Sequence, residues 1–410
     1  MPFAGFNLGK YTRAVAHAGS VAVEAYATTG VEREFPQPTM TVLPALPGLI
    51  RIPRDPQVVA PSPPPSPARN EQLVADESAR AVDFFSRRFG PYPYGKLALT
   101  QMPGKVSQGW PGLVFLSSFA FLSPQQRAEL HLSSVESTRT HGVIAHETAH
   151  QWWGDLVGWK GYRDQWIVEA LSEYGSLMLL ESGNAGDFRE VMDNYRDNLL
   201  VKNNDGAPLK DAGPVTLGVR LSCSHFPAGY EAISYGRGVW LLHMLRTMMR
   251  DADVKHRGSG SSGREAPDEP FIRALRKVRE QYEGKTISTA ALLRAFEEEL
   301  PPSLWYEGRK SLDWFDQGWI NGTAIPRLQL RGVKYVDGKS ATTISGTILQ
   351  SDAPQDLVTS VPLYATVAGR SVLLGRVFAD GGETGFHLTA PIGARKVVLD
   401  PNRTVLAQTR

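Results

Sequence analysis

Cysteine is almost absent from this chain of 410 residues, which contains a single one, Cys223. One thiol forms no internal disulfide, so a disulfide framework does not hold the fold together. A structural zinc site made of several thiolates is excluded for the same reason. Any metal site must therefore use histidine and carboxylate ligands. A nucleophilic pair of Cys223 with the nearby His225 is a minor alternative.

An excess of charge of either sign is also lacking. Lysine and arginine number 44, aspartate and glutamate number 42, and the formal net charge is +2. A nearly neutral chain gives no general argument for nucleic acid or an acidic membrane surface as a partner. No run of about 20 apolar residues occurs, so we expect no transmembrane segment. Length and composition predict a globular protein of two or three domains.

The first 35 residues are typical of β-structure. The alternating stretch 20–26 (SVAVEAY) predicts a strand, and no apolar core of the signal-peptide type precedes it. Because few partner strands are present before the next linker, we expect residues 1–35 to be the remnant of an N-terminal β-domain. The missing upstream part would carry an export signal, so we expect the full-length form to be exported or in the cell envelope.

Residues 36–70 are rich in proline and end in APSPPPSPARN. Such a tract favours the polyproline II conformation and builds no core, so we expect a linker. A ligand for a proline-recognising domain is the alternative, but a linker explains the same composition.

Residues 71–326 are predicted to form an α+β catalytic domain. The segment 71–89 has apolar residues at helical spacing and ends before a Gly-Pro pair. Two predicted strands, 97–102 and 113–117, come before most of the helices, and this order is typical of α+β domains. The other predicted helices are 139–156, 163–181, 187–201, 234–249, 269–282 and 288–299. An exposed flexible loop is predicted at 256–268.

After Pro326 the apolar pattern changes to a period of two residues. Turns containing Asp-Gly, Gly-Lys and Gly-Gly separate the predicted strands. These strands are 327–336, 342–349, 361–367, 371–378 and 396–400. Residues 327–410 are therefore predicted to form a β-sandwich of about 85 residues.

The segment HETAH, residues 146–150, indicates a metal site. Two histidines four residues apart on a helix lie on the same face, so His146 and His150 can bind one ion. Neutral imidazoles suit zinc, whose catalytic sites use three protein ligands and leave one position for water. Glu147 lies beside the ligands, where a general base would take the proton of a metal-activated water. We expect that water to attack a carbonyl group polarised by zinc.

A third ligand is predicted within WIVEALSEY, residues 166–174. Eighteen residues separate His150 from Glu169, and a helix, a turn and a returning helix would bring the Glu169 carboxylate back to the imidazoles. The alternative is that both histidines are hydrogen-bonded core side chains and that Glu169 is a surface charge. The combined spacing favours the zinc site.

Three parts of the sequence resemble the gluzincin zinc aminopeptidases of the alanyl aminopeptidase type. HETAHQWWGDLV followed by WIVEALSEY is similar to the family's HExxHxW(F/W)GxxV followed by WLNEGFAEY. SYGRGVW, at 234–240, resembles its YxKG segment, and WFDQGWINGTAIP, at 314–326, resembles the segment that closes its helical part. The resemblance implies a multidomain α+β protein with a thermolysin-like, mostly helical catalytic domain and a C-terminal β-sandwich.

For the site, the resemblance implies one zinc ion on His146, His150 and Glu169, with Glu147 as the general base. It also implies that Tyr235 donates a hydrogen bond to the oxyanion as water attacks. A phenol is a suitable donor to developing negative charge. Without the resemblance, Tyr235 is only an aromatic residue at the start of a predicted helix.

The sequence departs from this family before the zinc helix. Aminopeptidases of the family carry GxMEN on a strand there, and the glutamate of that motif grips the free α-amine of the substrate. Aligning the following Gly-Leu places VSQGW, residues 106–110, on the motif, so Gly109 stands where the glutamate should be. Val168 likewise replaces the asparagine before the third ligand. The large N-terminal β-domain of the family is mostly missing, and both exopeptidase and endopeptidase action stay open.

We therefore predict a zinc-dependent metallopeptidase with peptide substrates, aminopeptidase-like but without the expected amine-binding glutamate. The alternatives are a catalytically weak, zinc-containing peptide-binding or scaffold protein, and a fragment too incomplete to fold alone. The presence of Glu147 and Tyr235 favours the enzyme, because binding alone needs neither. Arg237 either contacts a substrate carboxylate or phosphate-like group, or only belongs to a salt bridge.

Overall fold

The structure is a computed structural model that describes residues 5–33, 35, 65–256 and 269–409. Most of the predicted linker and of the predicted flexible loop lies outside the described residues. The helices are α1 (Glu71–Phe89), α2 (Pro124–Glu129), α3 (Ser134–Ala149), α4 (Trp166–Gly183), α5 (Ala185–Leu199), α6 (Gly238–His256), α7 (Glu269–Tyr282), α8 (Thr289–Glu298) and α9 (Asp313–Phe315).

The strands fall into an N-terminal group, a short central pair and a C-terminal group. They are β1 (Thr12–Ala18), β2 (Val21–Ala27), β3 (Lys96–Met102), β4 (Gln108–Trp110), β5 (Leu113–Ser117), β6 (Gly158–Trp159), β7 (Thr286–Ile287), β8 (Arg327–Asp337), β9 (Ala341–Ser351), β10 (Val358–Val367), β11 (Arg370–Asp380), β12 (Glu383–Pro391), β13 (Arg395–Leu399) and β14 (Gln408–Thr409).

The N-terminal strands belong to a five-stranded sheet with the order β1-β2-β3-β5-β4. β1 and β2 form an antiparallel hairpin, and β2 pairs in parallel with β3. A parallel pair needs a crossover connection, and α1 lies within this one. The partner of the N-terminal hairpin is therefore a strand beyond the proline-rich tract, which the sequence pattern did not reveal. β4 forms the opposite edge of the sheet and carries Gly109.

α1 buries an apolar face that packs against this sheet and α3. Its aromatic residues at the C-terminal end meet the two tryptophans that follow α3. Phe85 lies edge-on to Trp152 with ring centroids 5.8 Å apart, and Phe89 lies edge-on to Trp153 at 5.3 Å. Such aromatic pairs bury a large area in a specific geometry. They fix the segment after α3 against the body of the protein.

α4 is apolar around most of its surface and packs against α3, α5 and α6. A helix that is hydrophobic all round is a buried one, and α4 is the central helix of this region. Trp166, its first residue, is buried and donates from Nε1 to Oγ1 of Thr289 at 3.1 Å. The start of α4 is thereby anchored to α8.

Two further sheets lie after Pro326, with the orders β11-β10-β13 and β12-β9-β8-β14. Most neighbouring strands are antiparallel, and only β14 pairs in parallel, with β8. Ile344 and Ile348 of one sheet and Val361 and Leu363 of the other are fully buried in the same apolar cluster. The two sheets therefore share a core.

The mixture of helices and sheets agrees with the predicted α+β class. α7 has its predicted bounds, whereas α3 begins at Ser134 rather than 139 and ends at Ala149 rather than 156. β4, β12 and β1 were not predicted as strands. Within the described ranges, no helix is both long enough and apolar enough to cross a membrane.

Candidate active site

α3 places both histidines of HETAH at its C-terminal end. The helix starts at a capping box, in which Ser133 and Glu136 each accept a hydrogen bond from the other's backbone N–H. His146 lies in the last turn, and His150 is the residue that caps it. Gly154 then turns the chain at a φ of 121°, a conformation that suits glycine. The Nε2 atoms of the two histidines are 3.0 Å apart, so both rings point to the same position.

Glu169 reaches this position from the first turn of α4. Its Oε2 lies 3.5 Å from Nε2 of His150 and 4.0 Å from Nε2 of His146, and the three ligand atoms lie within 4.8 Å of one another. Ligands about 2.0–2.1 Å from a tetrahedral ion are about 3.4 Å apart, so these separations suit zinc. Two imidazoles and one carboxylate are also a donor set found in catalytic zinc centres.

The second nitrogen of each imidazole is held by a partner that the sequence did not single out. Nδ1 of His146 lies 2.8 Å from Oε2 of Glu173. Nδ1 of His150 lies 2.9 Å from the backbone oxygen of Trp153 and 3.1 Å from Oγ of Ser172. Such partners orient the ring and direct the lone pair of Nε2 towards a metal. Glu173 lies one helical turn after Glu169, the predicted third ligand. This helical spacing could have predicted that the two carboxylates share one face of the helix.

Glu173 also accepts a hydrogen bond from a second side chain. The hydroxyl of Tyr195 donates to Oε1 of Glu173 at 2.5 Å. Burial alone would raise the pKa of Glu173, but the hydrogen bonds with His146 and Tyr195 and the nearby charge of Arg139 lower it. The carboxylate therefore stays ionised behind the first histidine.

The Glu169 carboxylate and the His150 imidazole each stabilise the charged form of the other. Burial alone would raise the pKa of Glu169, but the hydrogen bond with His150 and the charges of the two imidazoles hold that pKa at about 2. Burial alone would lower the pKa of His150, but the hydrogen bond and charge of Glu169 raise it to about 9. Zinc needs the neutral imidazole as ligand, so zinc would compete with a proton at His150.

Glu147 is buried beside the three predicted ligands and lies against β4. Burial raises its pKa, although the neighbouring imidazoles act in the opposite direction. A raised pKa brings a carboxylate closer to the range in which general bases work near neutral pH. The backbone N–H of Gly109 hydrogen-bonds to the Glu147 carboxylate. One edge of the sheet therefore orients the predicted base.

Only glycine fits comfortably at this point of β4. A Cβ atom at position 109 would lie 3.1 Å from Cβ of His150 and 3.3 Å from Oε2 of Glu147. Gln151 holds the strand this close, because its Nε2 donates to the backbone oxygen of Trp110 and its Oε1 accepts from the N–H of Gly112. The carboxylate closest to Gly109 is thus the predicted general base, and it does not replace a separate amine-binding group.

Tyr235 lies on a π-helix, Glu231–Arg237, that leads into α6. Its ring stacks on His146 with centroids 5.7 Å apart, and its hydroxyl hydrogen-bonds to Glu169. Burial and the adjacent Glu169 raise the pKa of Tyr235 far above its ordinary value, so the phenol keeps its proton. Tyr230, which the sequence did not single out, also hydrogen-bonds to Glu169, and its ring lies 5.9 Å from that of Tyr235.

These groups open onto a cleft of about 720 Å³. His146, Glu147 and Tyr235 lie in its wall, together with Arg139 and Glu231, which form an ion pair at 2.6 Å. A cleft of this volume is within the range of sites that take small ligands or short peptides.

The remaining candidates from the sequence lie away from this arrangement. Arg237 is fully buried, and its guanidinium donates to the backbone oxygens of Trp319 and Ala324 at 2.9 and 3.2 Å. Arg237 therefore ties the π-helix to the segment 314–326, and it is not among the residues that line the cleft. Among the described residues it also forms no salt bridge, so neither of the two alternatives left open by the sequence describes its contacts. Cys223 is exposed, and Nδ1 of His225 lies 2.9 Å from Asp205.

Two histidines from one helix, a glutamate from the next and a carboxylate beside them could hold a metal ion, and this arrangement is that of the gluzincin metallopeptidase class. Comparison with known proteins leads to the same class. Residues 74–258 match the family model described as the peptidase family M1 domain. This match confirms the family resemblance found in the sequence motifs, and peptidase family M1 implies zinc.

Several curated relatives are similar over this region. The Tricorn protease-interacting factor F2 of Thermoplasma volcanium is 26% identical over 189 residues, which are 44% of this chain and 22% of that protein. Aminopeptidase N of Canis lupus familiaris is 29% identical over 44% of this chain and 18% of its own length. The probable aminopeptidase 1 of Sulfurisphaera tokodaii is 27% identical over 47% and 24%. The match thus spans less than a quarter of each of these relatives.

Proposed function

We propose that this protein is a zinc-dependent metallopeptidase that hydrolyses peptide bonds, with one zinc ion held by His146, His150 and Glu169. The main support is the convergence of their three ligand atoms within 4.8 Å. Buried partners orient both imidazoles from behind, as in sites built to hold a metal. Relatives named as aminopeptidases are similar over the same region.

Zinc, when bound, makes a water molecule more acidic and polarises a carbonyl group. We assign to Glu147 the role of general base, which accepts a proton from the attacking water and passes it to the leaving amine. Its burial and its hydrogen bond from Gly109 support this role. Tyr235 keeps its proton and lies beside the predicted zinc ligands His146 and Glu169. We therefore propose that it donates a hydrogen bond to the developing oxyanion.

We further propose that a free α-amine is not required of the substrate. At position 109 the chain presents backbone instead of a carboxylate, and the nearest side-chain atoms belong to Glu147 and His150. Among the described atoms nearest to this position, Glu147 supplies the one carboxylate, so we expect a peptide with a blocked amine to lose little binding energy. The enzyme therefore hydrolyses peptide bonds by aminopeptidase-like chemistry but does not require a free N-terminus in its substrate.

For the architecture, we propose a thermolysin-like catalytic domain at 71–326 and a β-sandwich at 327–410. The N-terminal hairpin completes the sheet of the catalytic domain, since β2 pairs with β3. The two C-terminal sheets bury a common apolar cluster, as the two layers of a sandwich do.

The mechanism is tested with purified, zinc-loaded protein and the variant Glu147→Gln. We expect kcat on peptide libraries to fall about 10²–10⁴-fold, the range for loss of a general base, while the zinc content stays at one ion per chain. Glu280→Gln, at an exposed glutamate, is the matched control. Full activity in Glu147→Gln would refute the mechanism. Tight peptide binding without turnover in the unmodified protein would support a binding or scaffold function instead.

The relaxed specificity is tested by comparing a peptide with its N-acetylated form. We expect kcat/KM values within about tenfold of each other, less than the discrimination expected from a dedicated charge contact. Gly109→Glu should lower activity on both peptides, because the added side chain crowds Glu147 and His150. Gly385→Glu, where an added Cβ meets no atom within 4 Å, is the control. A strong preference for the free amine in the unmodified protein would contradict this proposal.

A further inference from the structure

A second cavity lies beside the catalytic cleft, and the proposed mechanism does not use it. Its volume is about 470 Å³, within the range of ligand sites. Residues of α1 to α5 line it, and its apolar wall includes Ile144, Leu177 and Leu180. Arg139 and Glu173 line both the cavity and the cleft, so the two spaces are neighbours.

Arg127, on α2, brings a buried positive charge to this cavity. Only 5% of the residue is exposed. Nε donates to Oγ of Ser137 at 3.1 Å and Nη1 donates to the backbone oxygen of Leu122 at 2.6 Å, which fixes the guanidinium. Among the described side chains, Nη2 has no hydrogen-bond partner and no carboxylate lies within 4.0 Å of the guanidinium. Burial lowers the pKa of Arg127, although the charge of Glu77 acts in the opposite direction.

A buried guanidinium without a contacting anion is costly, and the charge of Glu77 acts on Arg127 without an ion pair within 4.0 Å among the described residues. Three carboxylates line the cavity: Glu173 pairs with His146, Glu77 pairs with Arg80, and Asp187 lies in the first turn of α5. We infer that the cavity binds an aliphatic carboxylate, with its charged end on Arg127 and its chain on the apolar wall.

The lining favours a carboxylate over a more highly charged anion. A single unpaired Nη2 suits a monoanion, whereas a phosphate dianion needs several donors. Gly142 of α3 lines the cavity, and a Cβ atom added there would meet no atom within 4 Å. A medium-chain fatty acid and the C-terminus of a short apolar peptide share this chemistry. Octanoate and N-acetyl-leucine represent these two sources.

The inference is tested by calorimetric titration of the zinc-loaded chain with sodium octanoate, N-acetyl-leucine and 1-octanol. We expect at least one of the two carboxylates to bind at least about tenfold tighter than octanol, the effect of a charged hydrogen bond. Arg127→Met should weaken that binding about tenfold or more. Leu180→Trp should fill the cavity and weaken it likewise. Leu388→Trp, at another half-buried leucine, is the control and should retain full affinity.

Three results would overturn the inference: neither carboxylate binds, octanol binds equally well, or binding survives Leu180→Trp unchanged. The last result would place the anion elsewhere, for example at the zinc site. If Arg127→Met loses its cooperative thermal transition, the comparison of octanoate with octanol and the Leu180→Trp variant decide. None of these measurements uses peptidase activity, so this inference and the proposed function can fail independently.

Discussion

Two of the buried clusters of charged side chains in the described part of the chain differ in how their charges are balanced. The first is the predicted metal site, where the carboxylates of Glu147, Glu169 and Glu173 surround two imidazoles. The second lies between α6 and β11. There Asp251 and Arg376 form an ion pair at 2.5 Å, and their side chains are only 7% and 5% exposed.

The second cluster is complete without any ligand. Besides its bond to Asp251, Arg376 donates from Nε to Oγ of Ser360 at 3.0 Å and from Nη2 to the backbone oxygen of Ser360 at 2.8 Å. Asp251 also lies 4.0 Å from Arg250, and the charge of Asp400 also acts on Arg376. Carboxylates and guanidinium groups are therefore both present in this cluster, and each guanidinium nitrogen of Arg376 has a partner. Burial lowers the pKa of Arg376, and the facing carboxylate of Asp251 opposes that shift.

The predicted metal site has more carboxylates than cationic partners. Its imidazoles must be neutral to bind zinc, which leaves three buried carboxylates against the charge of Arg139 near Glu173. A buried group that lacks an opposite charge is costly, and a divalent cation removes that cost. The comparison shows how buried charge serves two purposes: a matched pair joins two parts of the fold, and an unmatched set creates a binding site.

The largest expected effect on stability comes from breaking the matched pair. Asp251→Asn removes the charge that compensates Arg376, so we expect the free energy of unfolding to fall by about 3–5 kcal/mol. Zinc content should not change, because the pair is not part of the metal site. Urea denaturation and metal analysis of the purified variant measure the two quantities.

An exposed pair provides the control for that measurement. Asp83 and Arg87 on α1 form an ion pair with side chains 50% and 63% exposed. Asp83→Asn should therefore cost only about 0.3–0.5 kcal/mol. Equal losses in Asp83→Asn and Asp251→Asn would show that burial does not distinguish the two pairs.

The next largest effect should come from the phenol that faces the unmatched carboxylates. Tyr235→Phe removes the proposed oxyanion donor, so we expect kcat to fall about 10²–10³-fold with little change in KM or zinc content. Tyr230→Phe is the control, because Tyr230 also hydrogen-bonds to Glu169. We expect that variant to lose less than about tenfold. Equal losses of kcat in both variants would reject a special role for Tyr235.

The sequence predicted helices and strands well where one apolar periodicity ran through the whole element and stopped at a clear boundary. α7 occupies its predicted residues, and the predicted strands after Pro326 correspond to β8, β9, β10, β11 and β13. The sequence predicted the fold less well where two paired strands lie far apart in the chain. β2 pairs with a strand on the far side of the proline-rich tract, and β4 has only three residues, held by Gln151. No local pattern encodes either contact.

The same distinction applies to the candidate site. The spacing of His146 and His150 is a local property of a helix, so their common face was predictable. Glu169 required only a return of the next helix, and the structure brings it to the same point. The packing of Gly109 against Glu147 was not predictable, because it depends on the distance between a sheet edge and a helix. Metal binding and the catalytic roles of these residues stay predictions.

The smallest of these effects should come from the carboxylate behind the first histidine. Glu173→Gln keeps the size of the side chain but removes the charge facing Nδ1 of His146. Outer partners of this kind contribute about 10–100-fold to metal affinity, so we expect zinc to bind that much more weakly in competition with a chelator. Glu181→Gln is the control on the same helix, because Glu181 pairs with Arg246 instead. Unchanged zinc affinity in Glu173→Gln would mean that Glu173 matters only for packing, and that the unmatched charge at this site is smaller than its three carboxylates indicate.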